Sequence, residues 1–216
     1  MTSTNNNTLL QHQIYLIRHG EVAISADICY GQLDCDLTDS FENDVIALSN
    51  FIRRHQITGQ SMIISSPLTR CLKLSRAAQK QVDESLELKV NDDFQEINFG
   101  TWEGLTWDQI GKERLDEWSQ SLLDFTFPEG ESAHTFDARV INAWKLLNEQ
   151  LRQFTTKKVI FIVAHAGVIR SILSHFLHIP LAHALTLKVD KISVSQLQVV
   201  PNQPALSRCA GINNHL

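Results

Sequence analysis

Short apolar runs along the chain predict the strands of a sheet. Residues 13–18 and 61–65 are β-branched or aromatic runs between polar loops, and residues 86–90 alternate apolar with charged positions. Residues 159–164 are apolar throughout, which is typical of a central parallel strand covered on both faces. The stretch 185–200 changes its apolar phase part-way and predicts one or two further strands.

Apolar side chains spaced three or four residues apart predict helices between these strands. The first helix follows Thr38, the expected N-cap, and its buried face contains Phe41, Val45, Leu48 and Ile52. Similar spacing, with a proline start after Ser66 and a capping box at Thr106, predicts four more helices: 68–80, 106 to about 118, 136–154 and 168–178.

The order of these elements indicates the fold class. Strands alternate with helices, which favours an α/β fold with a mostly parallel sheet. With about 150 residues per domain as a guide, the 216 residues fit one domain, which we place at 13–200. Residues 91–131 hold three of the four tryptophans but no clear strand, and they predict a small helical insertion. Residues 1–12 are expected to be a flexible tail, and 201–216 a C-terminal tail.

Composition narrows the partners and the compartment. The chain has 19 Lys and Arg against 24 Asp and Glu, and this net charge of −5 argues against nucleic acid or an anionic membrane as a partner. No basic start precedes an apolar run, and no apolar segment is long enough to span a bilayer. The four cysteines form no Cys-x-x-Cys pair, so we expect reduced thiols in a cytoplasmic protein.

Polar side chains follow three of the predicted strands. Arg18 and His19 stand at the end of the first strand, Arg70 lies in the first turn of the helix after the second, and His165 follows residues 159–164. The carboxyl ends of parallel strands meet at one edge of the sheet, where α/β proteins bind ligands. Because arginine forks and helix N-termini both favour phosphate-like anions, the sequence predicts an anion site at this edge.

Four blocks of sequence carry these residues. They are LIRHGE at 16–21, SSPLTRC at 65–71, EINFGTWEG at 96–104 and VAHAGVIR at 163–170. In order and spacing they resemble the histidine phosphatase superfamily, also called phosphoglycerate-mutase-like, over about residues 14–199. The resemblance implies a three-layer α/β/α sandwich and an acid-type histidine phosphatase that works through a phosphohistidine intermediate.

The same resemblance implies a role for each matching residue. His19 would be the nucleophile, Glu96 the general acid/base, and His165 the third catalytic residue. Arg18, Arg70 and the two histidines would bind the phosphoryl oxygens. Such cations neutralise a dianionic phosphate ester and stabilise its transition state, so we expect neither a metal nor a cofactor.

The insertion suggests the class of substrate, a small phosphate monoester. Its only basic residues are Lys112 and Arg114, while Trp and Phe are frequent, which favours a monophosphate on a neutral or aromatic body. The blocks CYGQLD at 29–34 and FPEGES at 127–132 resemble α-ribazole-5′-phosphate phosphatases of cobalamin nucleotide-loop assembly. The expected substrate contacts are Trp107, Phe125 and Glu131.

One part of the pattern departs from that family. Many members carry Asn shortly after the Arg-His-Gly-Glu block and Gly at the start of the following helix. This chain has residues 22–27 and Ser40 at those places, which leaves the substrate contacts of this loop open. A position in the core is the alternative for the aromatic cluster, since Trp and Phe at helical spacing usually pack inside.

Other functions also stay open. Within the superfamily they are a broad-specificity phosphatase of small molecules, a phosphoglycerate mutase and a phosphatase of phosphohistidine proteins. A catalytically inactive phosphate- or partner-binding module is a further alternative. It would be expected to lack at least one of four residues, and all four are present: His19, Arg70, Glu96 and His165. Residues 34–38 match the Asp-x-Asp-x-Thr pattern of magnesium-dependent phosphatases, but they follow a loop rather than a buried strand.

Overall fold

A computed structural model describes residues 10–216 of the chain, so the predicted tail at 1–12 lies mostly outside the described residues. Six strands form one sheet in the order β3-β2-β4-β1-β5-β6. The pairs β3-β2, β2-β4 and β4-β1 are parallel, and β5 runs antiparallel to both of its neighbours. The strands are β1 (His12–Arg18), β2 (Ser61–Ser65), β3 (Glu87–Val90), β4 (Val159–Ala164), β5 (Ser193–Val199) and β6 (Arg208–His215).

Helices cover both faces of this sheet. They are α1 (Phe41–His55), α2 (Thr69–Val82), α3 (Trp107–Ile110), α4 (Lys112–Gln120), α5 (Ala133–Leu151), α6 (Ala166–Leu177) and α7 (Leu181–Ala184). Along β1, Ile14 and Leu16 enter the core under α5 and α6, whereas Tyr15 and Ile17 enter the core under α1 and α2. The alternation follows from the two-residue period of a strand and confirms the three-layer α/β/α sandwich.

Parallel pairing brings three strand ends to one edge. Arg18 is aligned with Ala164 across β1 and β4, and Ser65 is aligned with Val163 across β2 and β4. The residues that follow each strand, His19, Ser66 and His165, therefore start from neighbouring points. None of the helices over residues 10–216 is long and apolar enough to cross a membrane.

The structure corrects the predicted C-terminal tail. Residues Arg208–His215 form β6, the edge strand, and Leu197 of β5 is aligned with Cys209. The segment RCAGINNH lacks the apolar alternation of a half-buried strand, because all of its residues are exposed or only partly buried. The division of the chain into domain and tails otherwise stays a prediction.

Two local predictions also need correction. Ser40, rather than Thr38, occupies the N-cap position of α1. The helix expected from Thr106 to about Trp118 is two helices, since Gly111 with φ of +87° ends α3 and precedes α4. The stretch 185–200, expected to hold one or two strands, holds one, β5.

Candidate active site

His19 lies directly after β1 and is almost fully buried, at 2% exposed. Its main-chain N–H donates to the Ala164 carbonyl at 3.0 Å, which ties it to the neighbouring strand. Its Nδ1 lies 2.7 Å from the Gly20 carbonyl oxygen. A carbonyl can only accept, so Nδ1 carries the proton and the lone pair of the neutral ring is on Nε2. The backbone therefore fixes the tautomer that a nucleophilic histidine needs.

His165 lies behind His19, with ring centroids 5.1 Å apart. The Nε of Arg70 donates to its Nδ1 at 3.3 Å, so the ring proton is on Nε2, which lies 2.7 Å from the Ser66 hydroxyl. His165 is fully buried and does not line the cavity described below. In this structure its N–H is thus directed to Ser66, not to the open space expected for a phosphate contact.

Burial lowers the pKa of both histidines well below 6.5, and the positive charge of Arg70 lowers it further in each case. The charge of Arg18 acts in the same direction on both rings. A protonated ring would be poorly solvated and repelled by two guanidinium groups. Both imidazoles are therefore neutral near pH 7, and His19 keeps its lone pair.

Arg70 is 1% exposed and is held by the loop that precedes α1. It donates from Nη1 to the Leu33 carbonyl at 2.9 Å and from Nη2 to the Gly31 carbonyl. The Glu103 carboxylate fixes this loop by accepting from the main-chain N–H groups of Gln32 and Leu33. Three of the five N–H groups of Arg70 are thus used for positioning, and two remain for a ligand.

Glu96 caps the start of α6. Its Oε2 accepts from the main-chain N–H of Gly167 at 3.0 Å, and its Oε1 accepts from the N–H of Ile97 at 3.2 Å. A methyl group at position 167 would overlap Oε1, so the carboxylate lies where only glycine leaves room. The positive end of the helix dipole lies at the N-terminus of α6 and stabilises the carboxylate there. The hydrogen bond to Gly167 therefore holds Glu96 in the cavity wall that also contains His19.

Arg139 of α5 binds the segment that ends in Glu96. The Arg139 guanidinium pairs bidentately with Glu131, through Nε to Oε1 at 2.6 Å and Nη2 to Oε2 at 2.8 Å. It also donates to the carbonyls of Asp93, Gln95 and Glu96, each at 2.9 Å. Glu131, expected to contact substrate, is instead occupied by this internal pair, and it is 20% exposed.

A cavity of about 350 Å³ opens between the strand ends and the insertion. Its polar wall contains Arg18, His19, Arg70, Glu96 and Arg170. Its remaining wall is mostly apolar or aromatic and consists of Tyr30, Ile97, Phe99, Trp118, Leu122, Phe127, Ala133, Phe136, Gly167, Leu181 and Leu185. The two walls together fit a phosphate attached to an apolar or aromatic body.

The two aromatic residues expected to contact substrate do not line this cavity. Trp107 stacks on Trp118 with centroids 6.4 Å apart, and Phe125 packs against Trp102 and Phe127. The cavity wall is formed by Trp118 and Phe127 instead. Trp107 and Phe125 therefore support the wall from behind, as the core alternative predicted.

A larger cavity, of about 420 Å³, lies at the opposite edge of the sheet. It is lined by the C-terminal parts of α5 and α6 and by residues that follow β5. The end of β5 is aligned with His12 at the start of β1, so this cavity lies at the end of the sheet away from His19. None of the four motif blocks contributes to it. The smaller cavity is the functional candidate because it collects the arginines, His19 and Glu96.

The structure gives Asp34 a capping role. Its Oδ1 accepts from the main-chain N–H of Thr69 at 2.9 Å and its Oδ2 accepts from the Thr69 hydroxyl, at the start of α2. No group of three His, Cys, Asp or Glu side chains suited to a metal ion occurs within residues 10–216. Asp34 thus positions the helix that carries Arg70.

One segment holds two arginines of the site. Arg18 donates from Nη1 to the Val189 carbonyl at 2.7 Å, and Arg170 donates from Nε to the Leu187 carbonyl at 2.9 Å. The Asn213 side chain of β6 fixes the end of this segment through Asp190, donating to its Oδ2 at 2.9 Å. We call residues 187–190 the arginine strap.

Sequence reasoning missed several of these residues. Arg139 and Glu103 act through main-chain groups of other loops, and no local pattern marks such contacts. Arg170 stands inside the block VAHAGVIR, and its one-turn spacing from Gly167 on α6 was the signal that could have placed it in the cavity.

Comparison with known proteins agrees with this geometry. The model of the histidine phosphatase superfamily (branch 1) matches residues 14–211, which is most of the chain. The chain belongs to this superfamily. A Mycobacterium tuberculosis relative, bifunctional protein Rv2228c, is 30% identical over 123 residues, which are 56% of this chain. The match spans only 33% of that relative's length.

Two further proteins match over most of their length. The probable phosphoglycerate mutase GpmB of Escherichia coli is 26% identical over 190 residues, covering 86% of this chain and 84% of that protein. The crystal structure of the α-ribazole phosphatase from Shigella flexneri superposes with a TM-score of 0.79 at 22% identity, covering 94% and 96% of the two chains. The second likeness establishes the fold, and the superfamily includes both phosphatases and mutases.

Proposed function

We propose that the protein hydrolyses small phosphate monoesters through a phosphohistidine on His19. The observation that carries the proposal is the hydrogen bond from His19 Nδ1 to the Gly20 carbonyl, at 2.7 Å, which leaves the Nε2 lone pair free beside two arginines. A neutral imidazole is a competent nucleophile, and the covalent intermediate divides one difficult displacement into two easier ones.

In the first step, His19 Nε2 attacks phosphorus, a P–N bond forms and the ester P–O bond breaks. The carboxyl group of Glu96 gives its proton to the departing oxygen. In the second step the Glu96 carboxylate takes a proton from water, whose oxygen attacks phosphorus while the P–N bond breaks. Inorganic phosphate is released and both residues return to their starting states.

Arg18, Arg70 and His165 are proposed to bind the phosphoryl oxygens. Arg70 has two N–H groups left for this purpose, and Arg18 has a buried Nε with no partner within the described residues. His165 reaches a phosphoryl oxygen only by giving up Ser66, and its Nε2–H is already a donor. Cations aimed at the equatorial oxygens stabilise the transition state more than the ground state.

The lowered pKa of His19 supports activity in mildly acidic solution, as expected of an acid-type phosphatase. A histidine in water loses its lone pair to a proton below about pH 6.5. Because burial and Arg70 hold the pKa of His19 well below that value, the nucleophile stays available in mild acid.

For the substrate we propose α-ribazole 5′-phosphate, in cobalamin nucleotide-loop assembly. The aromatic wall formed by Phe99, Trp118 and Phe127 supports an aromatic leaving group, and the structural neighbour from Shigella flexneri is named for that reaction. A phosphoglycerate mutase is the second candidate, favoured by the relative GpmB.

The test of the mechanism is to trap the phosphoenzyme. Brief reaction with labelled substrate, quenched in alkali, should leave the label on a peptide that contains His19. His19→Gln should abolish the label, and His134→Gln, at an exposed histidine outside the cavity, should retain it. Activity should survive EDTA, and vanadate should inhibit. Label on Asp34 would overturn the proposal in favour of a magnesium-dependent aspartyl phosphatase.

A panel of esters tests the substrate. The panel contains α-ribazole 5′-phosphate, sugar phosphates and 3-phosphoglycerate, and phosphorus NMR identifies each product. Release of inorganic phosphate supports the hydrolase, and the highest kcat/KM on α-ribazole 5′-phosphate supports the named substrate. Conversion of 3-phosphoglycerate to 2-phosphoglycerate would establish the mutase instead.

A further inference from the structure

Arg170 is a third arginine in the cavity, and the proposed mechanism gives it no task. It lies one helical turn after Gly167 on α6, is partly buried, and shares the cavity wall with Glu96 and Leu185. Its Nε donates to the Leu187 carbonyl of the arginine strap at 2.9 Å. That bond fixes the direction of the guanidinium and leaves its two terminal nitrogens without an acceptor among residues 10–216.

No counter-charge holds this cation. Arg170 forms no ion pair within 4.0 Å in the described part of the chain, whereas Arg139 is paired bidentately with Glu131. Burial lowers the pKa of Arg170, so its charge is poorly solvated, and the negative charge of Glu96 only partly offsets this. A half-buried guanidinium with unused donors is a binding site for an oxygen acceptor.

The position of Arg170 points to the leaving group rather than to the phosphoryl group. Arg70 is bonded to His165 through its Nε, and Arg18 is the last residue of β1, directly before His19, so both arginines stand next to the two histidines. Arg170 stands on α6 one turn after Gly167, whose main-chain N–H binds the carboxylate of Glu96, the proposed donor to the leaving oxygen. Arg170 thus lies on the Glu96 side of the cavity, where the ester oxygen departs.

Charge balance in the first step agrees with this position. Three arginines line the cavity, and Glu96 is the one carboxylate among its lining residues. The proposed role of general acid requires Glu96 to hold its proton when the step begins, so in that state it contributes no negative charge. A phosphate dianion then balances two of the three guanidinium charges, and one remains for the rest of the substrate.

We propose that Arg170 is a substrate-binding residue whose guanidinium donates to an oxygen acceptor on the leaving group. The inference rests on the proposed function and deepens it. The acceptor is a ribose hydroxyl in a nucleoside-like substrate or a carboxylate in a phosphorylated acid, and both offer oxygen to the same fork. Phosphate esters whose leaving group lacks such an oxygen gain nothing from Arg170.

The test compares three esters in wild type, Arg170→Met and Arg170→Lys. The esters are phenyl phosphate, whose leaving group has no further oxygen, α-ribazole 5′-phosphate and 3-phosphoglycerate. A hydrogen bond from a charged group predicts that Arg170→Met lowers kcat/KM by about 10- to 100-fold on at least one oxygen-bearing ester. Phenyl phosphate should change by less than about twofold, as should the inhibition constant of inorganic phosphate, since the phosphoryl site is intact.

The pattern of losses identifies the acceptor. A loss confined to 3-phosphoglycerate indicates a carboxylate, and a loss confined to α-ribazole 5′-phosphate indicates a sugar hydroxyl. Arg170→Lys should recover part of the loss because it keeps the charge but not the fork. Equal losses on all three esters, or none, would overturn the proposal.

Two controls separate folding and mechanism from binding. Arg152→Met removes another arginine that donates from Nε to a main-chain carbonyl, that of Pro201, but lies outside the cavity, so its kinetics should match wild type. Direct binding of the three esters by calorimetry to His19→Gln, with and without Arg170→Met, needs no turnover. Selective weakening there supports Arg170 even if no label forms on His19, whereas equal affinities overturn it.

Discussion

The main-chain N–H of Gly167 holds the Oε2 atom of Glu96 at 3.0 Å, and the missing side chain of Gly167 makes room for the other carboxylate oxygen. Gly167→Ala should therefore displace Glu96 and lower kcat. Alanine in a helix is favoured over glycine by about 0.5–1 kcal/mol, so the melting temperature should not fall in parallel. Steady-state kinetics and a thermal melt on the same sample check both points.

The double variant decides whether position 167 acts through Glu96. If it does, Gly167→Ala combined with Glu96→Gln should lose no more activity than Glu96→Gln alone, because both changes remove the same group. Multiplied losses would show that the methyl group harms something else, such as the contact with Phe136.

Glu96→Gln itself should lower kcat on unactivated esters by about 10²–10⁴-fold, the usual contribution of a proton donor. The loss should shrink for formation of the phosphoenzyme from nitrophenyl phosphate, whose leaving group needs less protonation. Glu113→Gln, an exposed carboxylate on α4, serves as the matched control and should be silent. Equal losses on both esters would assign the acid role to another group, with Glu21 and Glu103 as the next candidates.

The two histidines of the site, His19 and His165, contribute to the dependence of stability on pH. Their pKa values lie well below 6.5 in the folded protein, so below pH 6.5 the unfolded chain takes up protons that the folded site does not. The free energy of unfolding should then fall as pH falls from 6.5, by up to about 1.4 kcal/mol per pH unit for each histidine. Denaturant unfolding between pH 5 and 8 measures this slope.

His19→Gln should remove its own share of that slope. Above pH 7 the free energy of unfolding should depend on pH in the same way for wild type and variant. His19 and His165 are then neutral in both the folded and the unfolded state, so neither takes up a proton on unfolding. Superimposable slopes below pH 6.5 would mean that His19 takes up its proton in the folded protein as readily as in the unfolded chain.

Two tryptophans of the insertion should respond differently to truncation. Trp118 lines the cavity, so Trp118→Ala should lower kcat/KM for α-ribazole 5′-phosphate by about 1–3 kcal/mol of transition-state binding and spare a small ester. Trp107 stacks behind it, so Trp107→Ala should lower the melting temperature and affect both esters equally. A selective effect at Trp107, or its absence at Trp118, would contradict the assignment of the wall.

Sequence alone placed much of the site because its residues follow strand ends. Arg18, His19 and Arg70 stand next to runs whose apolar pattern marks parallel strands, and parallel pairing brings them to one edge. The same reasoning located His165 but did not predict the orientation of its ring. That orientation is set by hydrogen bonds to Ser66 and Arg70, which depend on tertiary contacts.

The remaining misses have a common physical cause. Gly111 divides the predicted insertion helix into α3 and α4. Trp107 and Trp118 therefore lie on different helices, and their spacing in the sequence does not show which face each occupies. In the sequence Arg139 resembles a solvated residue of α5, because its partner Glu131 lies before the start of the helix, eight positions away. The edge strand β6 takes its conformation from pairing with β5 rather than from its own polar sequence. The roles of the site residues, the cytoplasmic location and the exclusion of nucleic acid stay predictions.

The central place of β1 in the sheet has a consequence for biosynthesis. This strand pairs with β4 and β5, and Ile14 is aligned with Ile160, so its partners are made long after it. At about 5–20 residues per second, a ribosome needs on the order of ten seconds to supply them. During that interval an apolar strand waits with both of its edges unpaired and exposed to other chains. Nascent chains of this protein should therefore depend on chaperones until β4 is complete.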